Sequence, residues 1–197
     1  MSTITASPPR EYSLDQLDRM ANGKHYELID GYLEERTVSG LSSYVAGVLI
    51  ELLNAHCRPS RLAYVFPSDY GYVCFGSKKR LRRPDVSCVL TERLTLEQLQ
   101  IGYATIPPDL AVEVISPTDL AYKIAEKVDE YLKAGVRLIW VIEPVRQTVH
   151  LYRLDGSIAF LRAGDELSGE GVLPGFHCKV ADLFGVELPS ASPTTPS

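Results

Sequence analysis

Residues 109–115 read Asp-Leu-Ala-Val-Glu-Val-Ile, a nearly continuous apolar run with an acid inside it. A run this short, rich in Val and closed by Ser116-Pro117, predicts a strand covered on both faces. A carboxylate in such a strand is costly unless it is paired, hydrogen-bonded or bound to a cation. The run therefore demands a layered fold with a sheet inside it, and it makes Glu113 a candidate for chemistry.

The rest of the chain supplies the layers. Leu138–Ile142, LIWVI, predicts a second buried strand, with Trp140 as core. Between the two, Thr118–Ala134 has an apolar stripe of Leu120, Ala121, Ile124, Val128, Tyr131 and Leu132, and Gly135 is a natural stop. Leu41–Cys57 repeats apolar residues at helical spacing and predicts a helix that stops before Pro59. Ser13, with Gln16 three residues on, makes a capping-box start for a short helix through about Met20. Tyr26–Ile29 and Tyr32–Arg36 flank an Asp30-Gly31 turn and predict a hairpin. Further strands are expected in 62–76 around a turn at Pro67-Ser68-Asp69, at Pro84–Leu90, at Thr148–Leu154, at Ile158–Leu161 and around 172–176. Short helical segments are expected at 94–101 and 180–184. The order predicts an α/β (α+β) fold, a central mixed β-sheet flanked by helices with extra β-hairpins. A single domain is expected over 11–188, with a flexible Ser/Thr/Pro-rich start at 1–10 and a disordered Pro/Ser/Thr tail at 189–197.

Length and composition fit that reading. The chain has 197 residues, 45% of them apolar, enough for a core without disulfide or metal staples. Cys57, Cys74, Cys88 and Cys178 form no C-x-x-C pair, so zinc-knuckle and redox-motif readings fail and reduced thiols are expected. There is no signal-peptide pattern and no run long enough to span a membrane; the expectation is a soluble, cytoplasmic protein. The net charge of -5, from 20 Lys plus Arg against 25 Asp plus Glu, argues against tight coating of nucleic acid.

Local features qualify that charge. Asp85 opens a strand, and two costly acids on strands that could be sheet neighbours shift the balance from a buried ion pair towards a hard cation such as Mg²⁺. Glu27, in YELI, reads on spacing alone as a solvent-facing strand position. On the second helix, Lys127 falls about 40° beyond Tyr131, on the rim of the apolar face, and Lys123 falls further towards solvent. Lys127 either snorkels or brings its ammonium over the strand ends. Lys78, Lys79, Arg80, Arg82 and Arg83 place five cations in six residues immediately before Pro84-Asp85. Such a run is either a solvated loop or a stripe for flanking phosphates. The histidines show no ligand spacing, and no nucleophile-elbow, P-loop or dinucleotide motif is present.

Taken together, YELIDGYL, RRPDVSCVL, PDLAVEVISPTD, EKVDEYLKAGV, LIWVIEP with TVHLYR, and GEGVLPGFHCKVADLF occur in an order that resembles the Uma-two family of restriction endonucleases, a branch of the PD-(D/E)XK nuclease superfamily. The resemblance runs from about Tyr12 to Phe184. It implies a restriction-endonuclease-like core in which Asp85 is the Asp of the PD element, Glu113 the acid of the (D/E)XK element, and Glu27 the acid of the N-terminal ELIDG element. The lysine two residues after Glu113 is replaced by Ile115, and Lys127 matches the lysine that related families carry on the following helix. Ser43 stands about where members often carry a histidine.

The implied function is Mg²⁺-dependent (or Mn²⁺-dependent) hydrolysis of a nucleic-acid phosphodiester, DNA before RNA. Asp85, Glu113 and the backbone carbonyl of Val114 or Ile115 would hold the metal, and Glu27 would support it. Lys127 would orient or deprotonate the attacking water, the latter needing a lowered pKa from partial burial. Lys78, Lys79, Arg80, Arg82 and Arg83 would hold flanking phosphates. A homodimer would supply the two sites that cutting both strands calls for. Two alternatives stand beside it. One is a decayed nuclease-fold module that binds nucleic acid or a protein partner, supported by Ile115. The other is a hydrolase of a smaller phosphate ester, for which the basic stripe would be surplus.

Overall fold

The structure is a computed structural model and describes residues 10–185. The segments expected to be flexible or disordered, 1–10 apart from Arg10 and 189–197, lie outside the described residues.

The centre is a six-stranded mixed sheet. Its strands are β3 (Ala63–Pro67), β5 (Val86–Leu90), β7 (Leu110–Val114), β8 (Leu138–Glu143), β9 (Thr148–Arg153) and β10 (Ile158–Arg162), in the order β10-β9-β8-β7-β5-β3. Only β7 and β8 run parallel, joined by the helix α4 (Ala121–Ala134). Parallel neighbours need a crossover, and a helix laid on the sheet supplies it. The remaining pairs in this sheet are antiparallel.

Strand β7 explains the arrangement of the layers. Its residues alternate between faces, so Leu110, Val112 and Val114 point one way and Ala111 and Glu113 the other. The first set packs with Val86, Cys88, Trp140 and Ile142 under α2 (Gly40–Ser60) and the C-terminal residues Leu173, Phe176 and Phe184. Ala111 packs with Val128, Tyr131, Ile139 and Val141, against α4. Both faces are dry, which accounts for the unbroken apolar run. Glu113 is therefore directed at α4 and is buried.

The N-terminal hairpin, β1 (Tyr26–Ile29) with β2 (Tyr32–Glu35), turns through Asp30 and Gly31, whose φ angles are 51° and 93°. Both central residues need positive φ in this turn, which is why an Asp-Gly pair is found there. Backbone bonds from Leu28 to Leu81 and back pin the hairpin to the segment before β5. The short helix α1 (Leu14–Asp18) starts at the Ser13–Gln16 capping box, as the sequence predicts.

Three expectations need correction. The helix α2 continues through Pro59 to Ser60. The amide that proline lacks would have met the carbonyl of Ala55, which is exposed and can be hydrated, so the last turn tolerates it. Residues 172–176 form a turn between β11 (Glu166–Ser168) and β12 (His177–Lys179), with Gly175 at φ 81°. The helix expected over Thr118–Ala134 starts only at Ala121, with Leu120 exposed as its N-cap. The segment 62–76 is as expected: β3, a turn after Pro67, and the two-residue β4 (Gly71–Tyr72), which pairs with β6 (Tyr103–Ala104) beyond the short helix α3 (Leu96–Leu99). No cysteine is paired among the described residues, and no helix there is long and apolar enough to cross a membrane.

Candidate active site

Four elements bring their polar residues to one cleft of about 150 Å³. Glu113 comes from the C-terminal end of β7, Asp85 from the residue before β5, Glu27 from β1, and Lys127 from the second turn of α4.

Asp85 is fixed by the sheet. Its amide donates 2.9 Å to the Val112 carbonyl, and its Oδ2 accepts 2.8 Å from the Val114 amide. These two bonds hold its carboxylate beside the strand that carries Glu113. Its Oδ1 accepts from the Arg36 guanidinium at 3.0 Å.

Glu113 accepts 2.6 Å from the Tyr131 hydroxyl at Oε1 and 2.9 Å from Lys127 Nζ at Oε2. Tyr131 lies one turn beyond Lys127, so one helix face presents both donors to the same carboxylate. Burial pushes the Glu113 carboxyl up to about 7; the nearby charges of Asp85 and Glu27 add to this, and Lys127 opposes it. Asp85 is also raised by burial, against the pull of Lys127 and Arg36.

The solvent-facing reading of Glu27 is overturned. Its side chain is buried, because the hairpin face that carries it is closed by Arg82 and Lys127. Glu27 Oε2 accepts 2.9 Å from Arg82, its Oε1 accepts 2.8 Å from the Arg83 amide, and Lys127 Nζ lies 3.5 Å away. Burial works to raise this carboxyl, but Lys127, Arg82 and the Arg83 amide outweigh it and hold it below the usual range.

Lys127 also departs from expectation. A lowered pKa, as a general base needs, is not what its surroundings produce. Burial does disfavour the ammonium, but Glu113, Glu27 and Asp85 together hold its pKa above the ordinary lysine value. The side chain is thus a fixed positive charge that can donate a hydrogen bond or stabilise an anion. Lys123 pairs instead with Glu34 on the rim.

The five-cation stripe is not a row of free charges. Arg82 is buried, donating from Nε and NH2 to Glu130 and from NH1 to Glu27. Arg83 is buried too, and bonds the carbonyls of Tyr26 and Asp69. Arg80 pairs with Glu130 and with Asp30, and Lys79 with Glu11. Only Lys78 has an exposed side chain with no ion pair among the described residues. The expectation of phosphate contact from Arg82 and Arg83 is corrected on this ground: the two arginines tie the N-terminal hairpin to the sheet and to α4. Arg36, Glu130 and the Tyr131 hydroxyl were missed by sequence reasoning. Tyr131 was assigned to the apolar stripe, and nothing local distinguishes Arg36 or Glu130 from ordinary surface charge.

The donor set fits a hard cation in one respect. Mg²⁺ is held by one or two carboxylates together with water and phosphate oxygens. The four oxygens of Asp85 and Glu113 each accept one bond from the chain, and a carboxylate oxygen has capacity for a second. The Ile115 carbonyl is a further donor candidate. The Ile115 amide bonds Ile142, and in the same register the next partner is Pro144, which has no N–H. No cluster of three or more His, Cys, Asp or Glu arranged to hold a metal exists among the described residues.

No curated protein matches the chain. Among solved structures it is similar to the crystal structure of "a putative nuclease belonging to DUF820" from Anabaena variabilis ATCC 29413, with 23% identity and a TM-score of 0.75 over 87% of this chain and 97% of that one. At this identity the likeness establishes a shared fold. The profile of the Uma2 family, described as "Putative restriction endonuclease", matches residues 11–181. The chain belongs to that family.

Proposed function

We propose that this protein is a Mg²⁺-dependent endonuclease that hydrolyses phosphodiester bonds of nucleic acid, with DNA as the substrate to test first. The observation that supports this reading is the convergence of Lys127 on Glu113, beside Asp85, in one cleft. The resemblance to the PD-(D/E)XK superfamily implies a site of two acids and a lysine. Here the lysine reaches the acids from α4, although Ile115 occupies the motif position.

In this reading Asp85 and Glu113, with the Ile115 carbonyl, would hold the cation. When bound, the cation supplies Lewis-acid activation of water and offsets charge on the phosphate. Lys127 stabilises the anionic phosphoryl oxygens and orients the attacking water as a hydrogen-bond donor. Glu27, 3.5 Å from Lys127 Nζ, helps to hold its charge in place. Tyr131 holds Glu113 through its hydroxyl bond to Oε1. The products would be a 5′-phosphate and a 3′-hydroxyl.

One observation favours a second reading, a non-catalytic nucleic-acid or protein-binding module. Every oxygen of Asp85 and Glu113 already accepts a donor from the chain. The deciding experiment incubates supercoiled plasmid, an RNA hairpin and bis(p-nitrophenyl) phosphate with the protein and Mg²⁺ or Mn²⁺. Nicking or linearisation lost in Asp85→Asn, in Glu113→Gln and on adding EDTA is the expected result. Cleavage surviving in both variants sinks the assignment. Nucleic-acid binding without cleavage selects the module, and turnover of the small ester alone selects a smaller substrate. Direct linearisation would accord with a homodimer carrying two sites.

A further inference from the structure

We propose that Arg36 is a phosphate-binding residue held in reserve by Asp85, and that a divalent cation and a nucleic-acid phosphate replace this contact together. The inference deepens the endonuclease reading and rests on it.

Four cations line the cleft, and three are committed. Arg82 spends all three guanidinium nitrogens on Glu27 and Glu130. Lys127 is held between Glu113 and Glu27, and Lys123 is drawn to Glu34 at the rim. Arg36 differs. It follows β2 on the short strap that leads into α2. Its NH2 donates 3.0 Å to Asp85 Oδ1, and its NH1 donates 3.3 Å to the Ser68 carbonyl, a long and weak bond. No partner for its Nε is found among the described residues. The side chain is 11% exposed, and the guanidinium keeps donors that no described residue uses.

The group that holds Arg36 is a proposed cation ligand. A cation at Asp85 cancels the charge that attracts the guanidinium and repels it directly. The acceptor that a planar two-pronged donor fits best at such a place is a phosphate with two non-bridging oxygens. Asp85 itself stays in position, because its other oxygen is tied to the Val114 amide. The strap is anchored independently by Thr37, whose hydroxyl donates 2.6 Å to Asp119 at the foot of α4. The guanidinium can therefore re-aim without moving the backbone. Cation and phosphate then favour each other's binding, since each removes what opposes the other.

Calorimetric titration of Ca²⁺ into the free protein, with no substrate, tests the first half. Arg36→Gln removes the positive charge that competes for Asp85 and is expected to tighten Ca²⁺ about tenfold, the direction set by relieving like-charge repulsion beside the cation. Fluorescence anisotropy of a labelled DNA duplex tests the second half. The wild type is expected to bind more tightly in Ca²⁺ than in EDTA, Arg36→Gln to lose most of that gain, and its salt slope to fall by about one. Arg36→Lys, which keeps the charge but not the fork, is expected to fall between. Thermal melting of both variants separates a folding defect from these effects. Unchanged Ca²⁺ affinity in a folded Arg36→Gln, or an unchanged Ca²⁺-dependent gain in duplex affinity, overturns the role of Arg36 alone. Ca²⁺ uptake that Asp85→Asn leaves unchanged, or no Ca²⁺ uptake by either the wild type or Arg36→Gln with or without duplex, overturns the endonuclease reading and this inference with it.

Discussion

Lys127 Nζ lies 2.9 Å from Glu113 Oε2, an ion pair between a helix and the buried strand it crosses. The pair replaces the two-residue spacing of acid and lysine along one strand with a contact across fourteen residues. A lysine at position 115 would point from the same β7 face as Glu113, where Ile115 instead packs on the α4 core. The helical lysine reaches the same carboxylate and leaves that packing intact.

Removing this charge should cost activity in a residue-specific way. Lys127→Ala is expected to lower cleavage by about 10²- to 10³-fold, as expected for a preorganised group at developing charge. Lys123→Ala, which loses only a rim pair with Glu34, is expected to stay within about threefold of the wild type. Plasmid-cleavage rates for the two variants compare them directly.

The Glu113 carboxyl, raised to about 7, predicts two pH dependences. A cation displaces the proton, so Ca²⁺ affinity should rise with pH up to about 7 and level off above it. For folding, the sign is the opposite of the usual carboxylate case. The folded chain binds this proton more tightly than the unfolded chain, so the Glu113 contribution is complete below the ordinary value of 4.5 and is lost as pH rises towards 7. Glu27, held below its ordinary value, acts in a separate window and loses its contribution only as pH falls below 4.5. Urea denaturation at about pH 5 and about pH 8 should show the decline in the wild type and its absence in Glu113→Gln.

Arg82 should be the most sensitive of the five clustered cations. Arg82→Ala leaves Glu27 and Glu130 without their main partner in a buried site, a change that costs about 3–5 kcal/mol. Lys78→Ala removes an exposed charge and should change stability by less than about 0.5 kcal/mol. Denaturation midpoints separate the two, and equal losses would contradict the burial assigned to Arg82.

Tyr131→Phe keeps the ring in the core and removes only the hydroxyl that donates to Glu113. The expected loss is about 1.5–3 kcal/mol, the range for a hydrogen bond to a charged group. The loss should shrink near pH 5, where Glu113 is protonated. Unfolding of Tyr131→Phe at the two pH values measures this.

Much of the fold was legible because periodicity reports which face of an element is buried. The run 109–115, the stripe from Ile124 to Leu132, the Asp30-Gly31 turn and the Ser13–Gln16 cap all read from neighbouring residues, and each is found where it was expected, whereas Leu120 and Ala121 at the helix start are exposed. The same periodicity placed Lys127 on the rim and Lys123 nearer solvent. It failed where the partner is remote. Glu27 alternates like an exposed residue, and its burial comes from Arg82, 55 positions away. The run 78–83 has the composition of a solvated loop, but Glu130, 48 positions from Arg82, draws that arginine inside.

Local pattern was thus enough for most of the elements, for the acid inside a buried strand, and for the helix face on which Lys127 stands. Tertiary structure alone decided that Asp85, Glu113 and Lys127 share one cleft, that Arg82 and Arg83 are fastening groups, that Lys127 stays charged, and that Arg36 rests on Asp85. The reason is physical. The faces of an element follow from local geometry, whereas a charge responds to the sum of all nearby charges and to the water excluded around it, and both depend on strands and helices that meet only when the chain has folded.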